Sequence, residues 1–269
     1  MTDELRLLAI FPHPDDETLG LGGTLAKYGA EGVATYLVCA TRGERGWYDS
    51  EGPDPGLEAV GRLREAELRC AAEQLGLREV CFLDYIDGDV DKARPSEIIA
   101  RIVEQIRRVK PHVIVTFGPD GAYGHPDHIA LSQFTAAAIL CAADASFEDA
   151  GKQSTHRTPK FYYRVDSLDL VQLANDLFGG ISMDVDGVTR KDVAWADWEI
   201  TTRVDAMPYI ESVYRAVHCH RSQLSGYGPL AEATAEEMSR WFGEGDFYRV
   251  FSTVNGGRQV ETDLFDGMR

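Results

Sequence analysis

Two short segments of the chain concentrate side chains that can bind a metal or move a proton. The first is Pro12-His13-Pro14-Asp15-Asp16-Glu17, the second Tyr123-Gly124-His125-Pro126-Asp127-His128. Together they hold three of the seven histidines. Imidazole and carboxylate suit Zn²⁺ and Fe²⁺, and a catalytic site commonly uses three such ligands and leaves a position for water. Taken singly, each segment also reads as a capped turn, because Asp and Thr cap helices and Pro sets turns. Taken together, at the ends of neighbouring strands, they favour a metal site, since coincidence would have to act twice.

The elements around them decide whether they meet. Leu5–Phe11 is a continuous apolar run, as expected of a strand buried on both faces, and a helix from about Thr18 to Tyr28 follows. Val33–Thr41 reads as the second buried strand. The stretch Gly43 to Gly56 is rich in Gly, Pro and Asp and longer than most connections, which hints at a functional loop. Leu57–Leu75 is an amphipathic helix stopped by Gly76, and Val80–Leu83 is a short third strand. Pro95–Val109 reads as a helix, His112–Phe117 as the fourth strand, and about Asp127 to Ala142 as an Ala-rich helix. This alternation predicts an α/β fold: a Rossmann-like, mostly parallel sheet flanked by helices. In an order 3-2-1-4, strands one and four are neighbours where the order reverses, and ligands bind there outside the carboxyl ends. The two His/Asp segments are therefore expected to converge.

The second half is less regular. Lys160–Val165 and Tyr248–Ser252 read as strands, Asp205–His218 and Ala231–Phe242 as helices. A polar connector, 144–159, joins a core of residues 1–143 to a C-terminal α+β extension of 144–269. We read 1–269 as a single domain.

Composition narrows the function. Asp+Glu number 44 against 27 Lys+Arg, a formal net charge of −17. Such a chain repels phosphate backbones and anionic lipid, which argues against nucleic acid as a partner. No apolar run of about 18 residues predicts membrane insertion, and no signal peptide is evident, so a cytoplasmic location is expected. A homo-oligomer is compatible with the sequence. The five cysteines (Cys39, Cys70, Cys81, Cys141, Cys219) are scattered and form no CxxC pair, which predicts reduced thiols packed in the core.

A dinucleotide site is the rival at this position. Gly20-Leu21-Gly22-Gly23-Thr24-Leu25 begins like GxGxxG, but Leu25 fills the sixth place. Three successive acids, Asp15, Asp16 and Glu17, precede it and would repel a pyrophosphate. Close packing of the first helix on the sheet explains the glycines better.

The segment His13-Pro14-Asp15-Asp16-Glu17, the later Gly22-Gly23, the Thr41-Arg42-Gly43-Glu44 turn and the His125-Pro126-Asp127-His128 box resemble the LmbE/PIG-L family of metal-dependent N-deacetylases. The match is specific through about residue 135. Beyond that it rests mainly on His220-Arg221-Ser222-Gln223, similar to an H-x-S-Q element of that family. The resemblance implies a Rossmann-like fold and an enzyme that removes an acyl group from an amide nitrogen, usually the N-acetyl of a glucosamine unit. It implies zinc, with iron as the other candidate, and a small N-acylated amino sugar as substrate. It further implies His13, Asp16 and His128 as metal ligands and Asp15 as general base. His125 would stabilise the oxyanion or protonate the leaving amine, Asp127 would orient His125, and Tyr123 would face the substrate carbonyl. A nucleotide-binding oxidoreductase and a non-catalytic metal-binding domain are the competing readings.

Other signals are weaker. Arg42 and Glu44 follow strand two and could contact sugar hydroxyls or simply salt-bridge a turn. Asp87, after strand three, could accept from sugar hydroxyls or form an ordinary Asp-Gly turn. Trp47 and Tyr48 could cover the site. Of His218 and His220, two apart on a helix, one reads as packed and His220 as near the site. Arg62, Arg64, Glu65, Glu67 and Arg69 read as a solvated helix face. Glu232, Glu236, Glu237, Glu244 and Asp246 read as surface acids.

Overall fold

A computed structural model of the protein describes residues 4–48, 52–148, 151–257 and 259–269. Strand β1 (Arg6–Phe11) is buried along nearly its whole length, and its pleat serves two cores at once. Leu7, Ala9 and Phe11 face one, Leu8 and Ile10 the other. Helix α1 (Asp16–Ala30) follows, then β2 (Ala34–Thr41), α2 (Leu57–Gln74), β3 (Glu79–Tyr85), α3 (Pro95–Val109) and β4 (Val113–Phe117). A single turn, α4 (Gly121–Gly124), leads into α5 (Pro126–Ala143).

The C-terminal part adds β5 (Lys160–Arg164), β6 (Asp166–Ser167), α6 (Leu168–Phe178), a hairpin of β7 (Ser182–Val185) and β8 (Val188–Lys191), and β9 (Ala194–Trp195). After these come β10 (Thr202–Asp205), α7 (Ile210–Val217), an irregular segment Arg221–Glu232, α8 (Ala235–Phe242) and β11 (Glu244–Ser252).

Seven strands form one sheet in the order β10-β11-β5-β4-β1-β2-β3. Strands β5, β4, β1, β2 and β3 run parallel, and β11 and β10 extend the edge antiparallel. The reversal of strand order falls between β1 and β4, so the loops leaving them lie side by side at the carboxyl end of the sheet. Helices α1, α2 and α7 pack together on one side, α3 and α5 on the other.

The glycines of α1 serve packing, as their surroundings imply. A Cβ on Gly23 would stand 2.6 Å from the Ala206 Cβ and 2.7 Å from the Phe242 carbonyl oxygen. The close approach is to the C-terminal elements rather than to the sheet.

Several expectations for the second half change. Asp205 ends β10 instead of opening a helix, a short 3₁₀ turn Met207–Tyr209 follows, and α7 begins at Ile210. Residues 231–234 stay outside α8, because Thr234 caps that helix reciprocally with Glu237. Helix α6 and the β7–β8 hairpin are additions to the elements expected of the second half. The hairpin carries a plain signal, Val185-Asp186-Gly187-Val188, whose Asp and Gly both take positive φ (53° and 76°), as a tight type I′ turn requires.

The expectation of five reduced cysteines is also overturned. Cys70 on α2 and Cys219 just beyond α7 form a disulfide across 149 residues of chain, while Cys39, Cys81 and Cys141 are free. The packing of α2 on α7 brings the two together, and sequence spacing carries no trace of it. Nor is the α2 charge cluster wholly solvated: Arg64 and Glu67 are buried. They fall at helical spacing with Val60, Leu68 and Ala71 on the inward face. Asp246 is likewise buried, in β11 beside Arg203. Among the described residues no helix is long and apolar enough to cross a membrane.

Candidate metal and catalytic centre

The β1 chain end turns through Pro12 to Pro14 and enters α1 at Asp16. The backbone N–H of His13 donates to Asp16 Oδ2 (2.8 Å), and that of Asp15 to Glu17 Oε2 (2.9 Å), so the acids brace the turn that carries them. Asp15 takes φ 104°, a strained conformation for a residue with a Cβ. On the other side, β4 ends at Phe117, α4 turns the chain, and Pro126 opens α5 with Asp127 and His128 in its first turn.

The two segments meet. His13 Nδ1 lies 3.3 Å from His128 Nε2 and 3.5 Å from Asp16 Oδ2, and His128 Nε2 lies 3.6 Å from Asp16 Oδ1. All three residues are buried, and ligand atoms from each fall within 4.8 Å of one another. The His128 ring stacks on Phe117, with centroids 4.3 Å apart and planes 8° from parallel, and its Nδ1 has no hydrogen-bond partner among the described residues. Burial pushes its pKa down to about 3, which leaves a neutral imidazole. Burial raises the Asp16 pKa, but His128 and His13 outweigh it and hold the carboxylate ionised.

His13 Nε2 sits between two further carboxylates, Asp87 Oδ1 at 3.1 Å and Asp127 Oδ2 at 3.2 Å. Burial alone would lower the His13 pKa, but the hydrogen bonds to Asp127, Asp16 and Asp87 carry it well up. A cation bound at the cluster would displace the Nδ1 proton of that imidazolium, while the carboxylate pair keeps the other proton on Nε2 and so leaves the Nδ1 lone pair for the His128–Asp16 side. The donor set is then an imidazole lone pair, a neutral imidazole and a carboxylate, which fits a divalent cation.

The role expected of Asp127 shifts. Its carboxylate grips His13 and accepts from the backbone N–H groups of Gly88 (2.7 Å) and Val90 (3.1 Å). What touches His125 is the Asp127 backbone N–H, which donates to His125 Nδ1 (3.1 Å). With Nδ1 accepting, the proton of a neutral His125 resides on Nε2. Burial, then the nearby His13 charge, lowers its pKa, which favours a neutral ring over the imidazolium that Asp127 support would favour. The His125 ring stacks 4.7 Å from His128, and Tyr123 meets both rings edge-on at 5.9 and 5.3 Å. Burial and the nearby Asp16 and Asp15 push the Tyr123 phenol well up, so it keeps its proton.

Asp15 stands apart from the ligand cluster. Its Oδ2 accepts from Tyr227 Oη (2.9 Å) and Arg64 Nη2 (3.2 Å). Burial raises its pKa to about 6, opposed by Arg64 and reinforced by Asp16. Arg64 also donates to the carbonyls of Pro14 (2.6 Å) and Gly43 (3.0 Å), tying the first and second strand ends together. Behind Asp15, buried Glu17 Oε1 pairs with His220 Nε2 at 2.9 Å. Burial lowers the His220 pKa, but Glu17 more than reverses this. His218 turns away, its Nδ1 2.8 Å from the Tyr214 carbonyl. Glu67 accepts from the Ser222 N–H (2.8 Å) and Oγ (2.7 Å), and Gln223 Nε2 donates to the Gly46 carbonyl (2.9 Å).

The remaining expected residues divide. Asp87 is at the site beside His13, which helps hold its carboxyl well below the usual range against a raising effect of burial. Glu44 is buried and accepts from the backbone N–H groups of Asp87 (3.1 Å) and Arg42 (3.2 Å), so it shapes the loops. The Arg42 guanidinium leaves the site for Glu65 (2.5 Å) and Asp84 (2.6 Å) and covers Phe82. The Tyr48 ring lies against Gly226, where any side chain would collide with it. Trp47 Nε1 donates to the Gly52 carbonyl, and the tip of that loop, 49–51, lies outside the described residues. Arg64 and Tyr227 are the functional candidates that sequence reasoning missed. The inward helical face of α2 could have revealed Arg64, whereas no local signal marks Tyr227.

Comparison with known proteins agrees with this geometry. Residues 8–139 match the PIG-L family, described as GlcNAc-PI de-N-acetylase. A 1D-myo-inositol 2-acetamido-2-deoxy-α-D-glucopyranoside deacetylase from Streptomyces griseus is 33% identical over 98% of this chain and 89% of its own. The N,N'-diacetylchitobiose deacetylase of Pyrococcus horikoshii superposes with a TM-score of 0.68 at 20% identity, covering 92% of this chain and 84% of its own. The 4-carboxy-2-hydroxymuconate hydratase GalB of Pseudomonas putida gives the same TM-score and identity over 94% and 99%. Those two share the fold but differ in reaction, so they speak for architecture alone. The long sequence match to the Streptomyces protein carries the family: this chain is a member of the PIG-L family of metal-dependent N-deacetylases.

Proposed function

We propose that the protein hydrolyses the acetamide of an N-acetylglucosamine conjugate, with zinc held by His13, Asp16 and His128. The observation that carries this reading is the convergence of those three donors beside a separate carboxylate, Asp15, whose pKa is raised to about 6. A divalent cation there supplies Lewis acidity toward water and the amide carbonyl.

The chain's own groups account for the rest. Asp15 takes a proton from the attacking water and returns it to the amine nitrogen as the C–N bond breaks, and a pKa near the working pH suits both tasks. Arg64 and Tyr227 occupy its Oδ2 and so orient the carboxylate. His125 donates from Nε2 to the carbonyl oxygen as negative charge develops on it. The Tyr123 hydroxyl is a second donor beside His125. Asp127 acts through His13, whose tautomer it sets together with Asp87. Asp87 also presents carboxylate oxygens to sugar hydroxyls. Glu44 supports the reading indirectly, by holding the Asp87 backbone, and Arg42 by holding the strand end.

We further read 1–269 as one unit, in which 1–143 carries the metal ligands and 144–269 faces the substrate. Support comes from Tyr227 reaching Asp15 and from β5, β10 and β11 continuing the same sheet. The relative from Streptomyces makes 1D-myo-inositol 2-acetamido-2-deoxy-α-D-glucopyranoside the first substrate to try. Elemental analysis of the purified protein, with free-amine release from that conjugate and from N-acetylglucosamine, tests the reading. About one zinc per chain and amine release abolished by chelation are expected. Metal-replete protein inert on both substrates would overturn it.

A further inference from the structure

The turn that carries Tyr123 and leads to His125 is strained and is held in part by a distant segment. Ala122 adopts φ 63°, ψ −72°, a conformation that costs an L-residue about 1–3 kcal/mol and persists only where the surroundings enforce it. Beyond Asp120 and the first turn of α5, its hydrogen-bond restraints come from residues 190–195. Val193 N–H donates to the Ala122 carbonyl at 2.8 Å, and Arg190 Nη1 donates to the Gly124 carbonyl at 2.7 Å. Asp120 Oδ1 accepts from Ala122 N–H (2.8 Å), and Trp195 Nε1 in turn anchors Asp120 Oδ2 (3.0 Å). The Arg190 stem lies so close on Gly124 that a Cβ there would stand 2.7 Å from its Cδ. The hairpin's own base is closed by Asp192, which accepts from Ile181 N–H (2.9 Å).

We propose that the β7–β8 hairpin is a clamp on the catalytic turn, with Arg190 as a positioning residue that sets where Tyr123 and His125 stand. This rests on the reading of the site given above. The clamp lies outside residues 8–139, the span that matches the family, so a segment with no catalytic group of its own controls the geometry of the turn inside that span. Removing one restraint lets Ala122 relax toward ordinary φ, and His125 follows, three residues on. Among the described residues the metal ligands make no hydrogen bond to the hairpin: the β1–α1 turn carries His13, α1 carries Asp16 and α5 carries His128.

The test uses the zinc-loaded full chain and two readouts. Arg190→Ala and Trp195→Phe are compared with Lys191→Ala, an exposed control on the same hairpin. Amide hydrogen exchange should quicken at residues 121–125 in the first two and stay unchanged in β4. With the inositol conjugate as substrate, kcat should fall roughly 10- to 100-fold, the order expected of an ångström-scale misplacement, at near-constant KM and zinc content. Arg190→Lys should recover most of the rate, since a single carbonyl needs only one donor. Unchanged exchange at 121–125 overturns the clamp, and altered exchange at full kcat overturns its positioning role. If the wild type itself releases no amine while exchange responds, the clamp stands and the deacetylase reading fails instead.

Discussion

The Tyr227 hydroxyl donates a 2.9 Å hydrogen bond to Oδ2 of Asp15, although 212 residues separate them. A donor on a carboxylate favours its ionised form. Tyr227→Phe therefore raises the Asp15 pKa further, and the acid limb of the kcat/KM profile moves to higher pH. A hydrogen bond to a charged group contributes about 1.5–3 kcal/mol, so a loss of roughly tenfold or more in kcat/KM at pH 6 is expected. The zinc content should not change. A profile that stays in place would separate Tyr227 from the base.

Adjacent carboxylates with different tasks give a sharp contrast. Asp16 and His128 face the ligand cluster, whereas the Asp15 carboxylate faces Arg64 and Tyr227. His128→Ala should abolish both zinc binding and turnover. Asp15→Asn should keep the metal and lower kcat by about 10²–10⁴, the range for a removed general base. Elemental analysis alongside single-turnover rates distinguishes the two, and an Asp15→Asn protein with undiminished kcat would remove Asp15 from the role.

Much of this centre was legible in the sequence, for a physical reason. Strands buried on both faces leave long apolar runs, and His and Asp clusters at their carboxyl ends cannot be mistaken for core. Helix α3 runs over the residues expected of it, and His13, Asp16 and His128 meet as the strand order requires. Contacts made by tertiary packing were not legible. Arg64 and Glu67 were misread because charge type was weighed above their inward helical phase. Tyr227 sits in an irregular segment that no periodicity announces, and Asp127 was paired with its neighbour in sequence when the fold offers it His13.

The Cys70–Cys219 bond ties α2, which bears Arg64 and Glu67, to the segment bearing His220 and Ser222. It closes a loop across a separation of 149 residues, and constraining the unfolded chain in this way contributes about 2–4 kcal/mol. Cys70→Ser should lower stability by that order in urea titrations under oxidising conditions. Under a thiol reductant the wild type should approach the variant. Equal midpoints for the two proteins in oxidising buffer would mean the bond contributes nothing.

Glu261 gathers Lys160 Nζ (2.8 Å) and Tyr162 Oη (2.6 Å) of β5, Arg249 Nη1 (2.6 Å) of β11 and Thr202 Oγ1 (2.8 Å) of the edge strand β10. Burial raises its pKa, but the Lys160 and Tyr162 hydrogen bonds more than offset that and bring it down to about 2. A depressed carboxylate pKa adds stability that is complete above the unfolded value near 4.3 and is lost as pH falls toward 2. Glu261→Gln removes the charge and leaves the fully buried Lys160 ammonium without its counter-ion. Breaking a buried pair from one side costs about 3–5 kcal/mol. The variant should therefore unfold at lower denaturant at pH 7, with a shallower loss of stability between pH 5 and 2 than the wild type. Parallel stability curves for the two proteins across that interval would show that Glu261 does not set the acid limit.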